Sequence, residues 1–138
     1  MGVDMTDEAN HRTGGCLCGA VRFKVNAPMR QVIACHCGQC RKTTGNFFTS
    51  TNAPANSVSF IEEKGLTWFK SSDKAERGFC HVCGSNLFWR ALGSDTISIT
   101  AGSLDGPTGL HIQEHIYVAD KPDWYEITDG KPQFAVWR

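Results

Sequence analysis

The chain has 138 residues, which is enough for one domain with a single hydrophobic core. Hydrophobic residues make up 41% of it and charged residues 20%, and 14 basic residues balance 14 acidic ones. This neutral balance argues against a nucleic-acid partner, and no stretch approaches the ~20 apolar residues that a membrane span needs.

The first thirteen residues are polar and lack the apolar segment of a secretory signal. We therefore predict a mobile N-terminal tail over residues 1–13 and one domain over residues 14–138. Without a signal, we expect the protein to stay in the cytoplasm, where disulfides rarely persist.

Short β-strand patterns follow one another along the chain. Strands are expected at 21–25, 32–34, 47–51, 58–61, 66–69, 86–90, 96–100 and 116–118, and one helical turn at 38–44 that ends at Gly45. The segments 58–61 and 66–69 are predicted to pair as a hairpin, and 52–56 to form a turn. Four aromatic residues near the C-terminus are predicted to cover the core: Trp124, Tyr125, Phe134 and Trp137. The pattern favours a mainly β domain whose thin core needs metal ions for stability.

Seven cysteines in three blocks are the main chemical signal of this chain. The blocks are Cys16 and Cys18; Cys35, Cys37 and Cys40; and Cys80 and Cys83. Their dense, paired spacing favours Zn²⁺ ligands. A disulfide framework would leave one of the seven thiols unpaired. Buried cysteines without a ligand role would not explain why the cysteines are closely spaced in sequence.

Seven ligands divide into one set of four and one set of three. Cys80-x-x-Cys83 leads into a strand, which favours a zinc knuckle over a redox motif, and Cys16 and Cys18 would complete a closed structural site. Spacing alone leaves open an exchange of partners between the blocks.

A zinc ion held by the three central thiols would keep a fourth position for water or substrate, unless His36 or His81 fills it. Such an anionic site suits a soft ligand, and a substrate thiol would lose its proton on coordination. The spacing therefore points to chemistry at a carbon–sulfur bond.

The residues around the central thiols allow two interpretations each. Arg41 and Lys42 would either bind a substrate carboxylate or neutralise an anionic zinc site. For Phe47 and Phe48, core packing is favoured over lining the mouth of the site, because adjacent strand residues face opposite sides.

Three further polar residues have structural interpretations. His111 and His115 flank a β segment, and we expect structural roles for them rather than acid–base roles. Asp105 is interpreted as a turn residue.

Taken together, these blocks resemble the glutathione-dependent formaldehyde-activating enzymes, which are grouped with centromere protein V in one zinc-binding family. The resemblance extends in order over about residues 13–130. The matching segments are 15–21, 35–45, 79–87, 101–105, 115–118 and 122–124.

The resemblance implies a zinc-stapled β-tent of small antiparallel sheets with two zinc ions per chain. It implies a structural zinc on Cys16, Cys18, Cys80 and Cys83, and a second, catalytic-type zinc on Cys35, Cys37 and Cys40. It also implies carbon–sulfur lyase chemistry that joins glutathione and formaldehyde in S-hydroxymethylglutathione. The alternatives are a non-catalytic zinc-binding interaction module and a thiol-based redox or metal sensor.

Overall fold

The computed structural model describes residues 12–137, and most of its elements are short β-strands. The strands are β1 (Arg12–Gly15), β2 (Arg22–Val25), β3 (Val32–Cys35), β4 (Phe48–Pro54), β5 (Val58–Glu62), β6 (Leu66–Lys70), β7 (Ala75–Cys80), β8 (Asn86–Ala91), β9 (Thr96–Thr100) and β10 (Ile112–Ile116). The helix α1 spans Gly38–Thr44, and short 3₁₀ turns span Ala55–Ser57, Ala101–Ser103 and Val118–Asp120. The prediction of a mainly β fold of small sheets is confirmed.

Residues 1–11 of the predicted tail lie outside the described residues, and Arg12 and Thr13 begin strand β1. Among residues 12–137, the α-helix has seven residues and no helix could cross a membrane.

The chain divides into two compact units, and β4 contributes residues to both. The first unit contains residues 12–30 and 51–109. It holds an antiparallel sheet in the order β1-β2-β5 and a second group of strands in the order β4-β9-β8-β7-β6. The second unit contains residues 31–50 and 110–137, with strands in the order β10-β3-β4.

The core of the first unit is built on aromatic rings. Phe23 and Val25 point inward from β2 and are fully buried. The ring of Phe88 lies 5.1 Å from that of Phe23 and stacks at 5.9 Å with that of Trp68. Since such rings bury large apolar areas, this cluster stabilises β2 and β8, the strands that follow the two thiol turns of this unit.

In the second unit, β3 is a central strand whose residues Val32, Ile33 and Ala34 are buried. Strand β4 pairs with it antiparallel, but β10 pairs with it in parallel, so this unit departs from the purely antiparallel expectation. The parallel register places Ile116 opposite Cys35, and the His36 N–H donates to the Ile116 carbonyl at 3.0 Å. Both strands therefore end beside the central thiols.

The predicted pairing of β5 with β6 is wrong. Strand β5 pairs with β2, and β6 pairs with β7, a strand that the sequence patterns missed. In its actual position β5 sets Phe60 opposite Phe23 and against the ring of Phe88, at 5.8 Å. This apolar packing outweighs the local turn signal.

Two other predictions need correction. The predicted turn at 52–56 is the end of β4 followed by a 3₁₀ turn, and the predicted strand at 116–118 is instead the end of β10. Tyr117 leaves β10 with a left-handed φ of 56°. Trp124 and Trp137 do not cover the core, since they are 61% and 53% exposed.

Candidate metal sites

Four cysteine sulfurs of the first unit converge, and we call them the four-thiol set: Cys16, Cys18, Cys80 and Cys83. The Cys18 Sγ atom lies 3.7 Å from that of Cys16 and 3.8 Å from that of Cys80. Zn–S bonds of about 2.3 Å in a regular tetrahedron separate the sulfur atoms by about 3.8 Å. The set therefore fits one tetrahedral ion.

The turns that carry these thiols form for local reasons. The Cys16 N–H donates to the Val21 carbonyl at 3.0 Å, and the Val21 N–H points at Cys16 Sγ at 3.2 Å. In the second turn, the Gly84 N–H donates to the Cys80 carbonyl at 2.7 Å. Gly84 has a φ of 82°, which glycine adopts without a Cβ clash, so the chain curls back behind both thiols.

Ser85 connects the two turns, and sequence analysis assigned it no role. Its hydroxyl accepts the Leu17 N–H at 3.1 Å and lies 3.2 Å from the Sγ atom of Cys83. Hydrogen bonds from the Ser85 side chain and backbone lower the pKa of the Cys83 thiol to about 5. A hydroxyl residue directly after the Cys-x-x-Cys-Gly turn is the signal that could have indicated this role.

Gly65 was predicted only as part of a hairpin turn, but its backbone packs against a thiol. A Cβ atom at this position would lie 2.8 Å from Cys80 Sγ and 2.8 Å from the Cβ of Ala20. The Gly65 N–H donates to the Ala20 carbonyl, and its own carbonyl accepts the His81 N–H at 2.9 Å. Any larger residue at position 65 would therefore force Cys80, Ala20 or the backbone at position 65 to shift.

In the second unit, the Sγ atoms of Cys35, Cys37 and Cys40 also lie within 4.8 Å of one another, and we call them the three-thiol set. Cys35 ends β3, while Cys37 is the N-cap of α1 and its sulfur accepts the Cys40 N–H at 3.3 Å. Gly45, with a φ of 90°, ends the helix as predicted. The strand end and the first helical turn thus aim three thiols at one point.

Electrostatics in the three-thiol set favour a bound cation. Hydrogen bonds from Cys35 and then Cys40 lower the pKa of the Cys37 thiol to about 2. The contact with Cys37 is also the main reason why the pKa of the Cys35 thiol is raised. One thiolate is therefore stable here, but three would repel one another without a metal ion.

Within residues 12–137, no histidine or carboxylate joins the three-thiol set as a fourth ligand. All seven cysteines lie in this range and none forms a disulfide. The Nε2 atom of His81 lies 3.3 Å from the Lys64 carbonyl. His36 is hydrogen-bonded to His115.

His36 begins a polar chain that runs from two buried histidines to a surface carboxylate, the His36–His115–Asp129 chain. His36 Nε2 lies 2.8 Å from His115 Nδ1, and His115 Nε2 lies 2.8 Å from Asp129 Oδ2. Burial, and then the nearby His115, lower the pKa of His36 to about 4. The rings of Phe47 and Tyr125 pack on the His36 ring, with centroids at 4.9 and 5.9 Å.

The two basic residues that follow the three-thiol set differ in their contacts. Arg41 Nη1 donates to the Asp120 carbonyl at 3.1 Å, whereas Lys42 is exposed. Phe48 is buried in the sheet opposite Cys35, in line with the expected core packing, but Phe47 contacts His36 instead. His111 is exposed.

Asp105 does more than occupy a turn in the first unit. Its carboxylate accepts hydrogen bonds from Arg22 at 2.7 Å and from the Thr13 hydroxyl at 2.6 Å. These contacts, Arg22 first, lower the pKa of the Asp105 carboxyl. The contact ties β1 and β2, on either side of the first thiol turn, to residue 105.

Comparison with known families agrees with this arrangement. The sequence profile of the family described as glutathione-dependent formaldehyde-activating enzyme matches residues 11–120. The chain belongs to that family. The match includes all seven cysteines, the residues of both thiol sets.

Two curated relatives match over most of their length. An uncharacterised lyase of Schizosaccharomyces pombe is 29% identical, with 89% of this chain and 90% of the relative covered. A Halomonas elongata protein, named provisionally as a glutathione-dependent formaldehyde-activating enzyme, is 33% identical, with 83% and 79% covered. A crystal structure of a Rhodobacter sphaeroides protein has a TM-score of 0.59 at 18% identity over 88% of this chain and 98% of that one, which shows a shared fold.

Proposed function

We propose that this member of the formaldehyde-activating family is a zinc-dependent carbon–sulfur lyase acting on the adduct of a small thiol and an aldehyde. The adduct is of the S-hydroxymethylglutathione type. In this proposal the four-thiol set holds a structural zinc, and the three-thiol set holds a second zinc and receives the substrate sulfur. Because these thiols must stay reduced, we place the protein in the cytoplasm.

One observation carries the proposal: three thiols of the second unit converge without a fourth protein ligand among residues 12–137. A closed structural zinc site has four protein ligands, as the four-thiol set would provide, whereas a catalytic site leaves one position open. Zinc bound by the three thiols would supply an open position at which an incoming thiol loses its proton.

The reaction needs no oxidant and no further cofactor. In the cleavage direction, the substrate hydroxyl loses its proton, its oxygen becomes the aldehyde carbonyl, and the C–S bond breaks with both electrons going to sulfur. The proton then joins the released thiolate, so the atoms and electrons balance. Formation of the adduct is the reverse.

Protein side chains would orient the substrate. Lys42 is exposed in the last turn of α1, the helix that contains Cys40. Its ammonium group would attract a carboxylate of glutathione or a related thiol. Arg41 would contribute less to substrate binding, since its guanidinium group already donates to the Asp120 carbonyl.

The proposal is tested with protein in which cobalt replaces zinc. Glutathione should add a sulfur–cobalt charge-transfer band, and an alcohol of similar size should not. The zinc protein should accelerate exchange between free formaldehyde and its thiol adduct, measured by NMR exchange spectroscopy. Cysteine and a small dithiol, used beside glutathione, identify the preferred thiol.

Each alternative has its own outcome in this experiment. A spectral response without faster exchange would indicate a thiol-binding module. Purified protein without zinc, but with disulfides that form and open reversibly among Cys35, Cys37 and Cys40, would indicate a redox sensor. No response to any thiol while metal occupies the three-thiol set would refute the proposed substrate position.

A further inference from the structure

The His36–His115–Asp129 chain has no part in the chemistry proposed above, although His36 lies between two residues of the three-thiol set. Both imidazole side chains are 1% exposed. Two successive contacts of 2.8 Å link His36 to the carboxylate of Asp129, which lies at the surface. Burying a polar group without a hydrogen bond costs free energy. Each contact in such a chain is therefore expected to have one defined donor and one defined acceptor.

The carboxylate sets the direction of these bonds. An ionised carboxylate only accepts hydrogen bonds. Asp129 Oδ1 accepts the Lys131 N–H at 3.0 Å, and Oδ2 faces His115 Nε2. The Nε2 atom of His115 must therefore carry the proton.

The donor at His115 Nε2 also determines the hydrogen bond between the two rings. A neutral imidazole has one N–H, so when His115 is neutral its Nδ1 atom holds a lone pair and can only accept. His36 Nε2 faces this lone pair at 2.8 Å and must donate. If both rings are neutral and His115 Nδ1 were the donor instead, the lone pair of His115 Nε2 would face a lone pair of the Asp129 carboxylate.

His36 is held from several other directions. Its backbone N–H donates to Ile116 at 3.0 Å, and the rings of Phe47 and Tyr125 pack on its side chain. Its backbone in turn connects Cys35 to Cys37. Fixing the ring and the main chain of His36 thus fixes the relative direction of these two thiols.

We propose that Asp129 and His115 are positioning residues that hold His36 as its Nε2–H tautomer and thereby preorganise the three-thiol set for its metal. The metal part of this inference rests on the proposed function, but the tautomer does not. Hydrogen-bonded groups that orient the ligands of a metal typically change its affinity about 10- to 100-fold, and here the chain would act on Cys35 and Cys37 through the backbone of His36.

The tautomer is tested first, on the unmodified zinc-loaded protein. Long-range ¹⁵N–¹H NMR at pH 8, above the ordinary imidazole pKa of about 6.5, reports which nitrogen carries the proton. We expect His36 and His115 each to be protonated at Nε2. Protonation of His36 at Nδ1 would overturn the inference, and this measurement does not depend on a variant that folds.

The positioning role is tested with Asp129→Asn, because the similarly shaped amide can either donate or accept. We expect the His36 tautomer to become mixed or reversed. Chelator competition on the cobalt-loaded variant should show about 10- to 100-fold weaker metal binding by the three-thiol set. The four-thiol set of the same molecules should bind as before. Asp123→Asn, which alters an exposed carboxylate of the same segment, should change neither quantity.

The remaining outcomes also decide the matter. An unchanged His36 tautomer in Asp129→Asn would refute the role of the carboxylate. A changed tautomer with unchanged metal affinity, or an equal loss of affinity at both sets, would refute specific positioning. If all readouts follow expectation but no thiol binds, the proposed function fails while this inference stands.

Discussion

The two thiol sets of this protein are assembled in different ways. Cys18 and Cys80, which touch in the four-thiol set, are 62 residues apart in sequence, whereas the three-thiol set comes from residues 35–40. A metal ion in the first set would close a long loop and offset its closure entropy, whereas an ion in the second set would join residues that are already close in the chain. Under the proposed function, the first site would maintain the fold and the second would be free for chemistry.

The residues that support the two thiol sets also differ. The four-thiol set is supported by close backbone packing at Gly65 and by Ser85, which bridges its two turns. The three-thiol set is supported by a helix N-cap at Cys37 and by the His36–His115–Asp129 chain. Changes at Gly65 or Ser85 should therefore mainly lower the stability of the fold. Changes in the chain at His36 should mainly weaken metal binding by the three-thiol set.

The largest expected effect separates the sets by removing a ligand from each. Cys80→Ser should abolish soluble folded protein, because a structural zinc contributes about 10 to 16 kcal/mol and whole domains have about 5 to 15 kcal/mol of stability. Cys37→Ser should stay folded and lose only one metal ion. Soluble yield, circular dichroism and elemental analysis check this. An insoluble Cys37→Ser beside a Cys80→Ser that melts like the parent would reverse the assignment.

The next effect sharpens the comparison within the first unit. Gly65→Ala should lower the free energy of unfolding by about 1 to 3 kcal/mol, because the new methyl group would clash with Cys80 Sγ and overpacking costs that much. Gly102→Ala is the control, since a Cβ there meets no atom within 4 Å. Urea unfolding of the zinc-loaded proteins measures both, and equal losses would contradict the argument.

A third test uses pH to distinguish the sets. The Ser85 hydroxyl lowers the pKa of Cys83, and stability from a thiolate with a lowered pKa is lost as the pH falls through that pKa. Ser85→Ala should therefore release metal from the four-thiol set at a higher pH during acidification. The three-thiol set should release its metal at the parent pH.

Cobalt absorbance followed against pH reports both events in this third test. Ser59→Ala removes an exposed hydroxyl from β5 and should leave both release curves in place. A Ser85→Ala protein with the parent release curve would mean that this hydroxyl does not support the thiolate.

The smallest effect concerns the surface contact beside the first thiol turn. The side chains of Arg22 and Asp105 are 36% and 50% exposed, so Asp105→Asn should cost less than about 1 kcal/mol. Because salt screens exposed pairs, the difference should shrink in about 1 M salt. Denaturation at low and high salt measures it, with Asp73→Asn as an exposed control. A loss well above this range, unaffected by salt, would point to a buried structural role.

Sequence patterns predicted the local parts of this molecule well. The helix at 38–44, its end at Gly45, and the strands at 86–90 and 96–100 lie where the patterns placed them, to within a residue. These features depend on contacts between residues close in the chain. The hairpin between β5 and β6 failed because strand pairing is decided by distant apolar partners such as Phe23.

The number, spacing and chemical type of the thiols follow from the sequence alone, and these properties already indicate metal ligands. Spacing could not decide which blocks share an ion, because that depends on the pairing of β1 with β2, on the pairing of β7 with β6 and β8, and on the close approach that Gly65 allows. Nor could it reveal that His36 meets His115, 79 residues away, or that this pair ends at Asp129. Local patterns record the chemistry of each residue, while burial and strand register, which act over the whole chain, decide which residues meet.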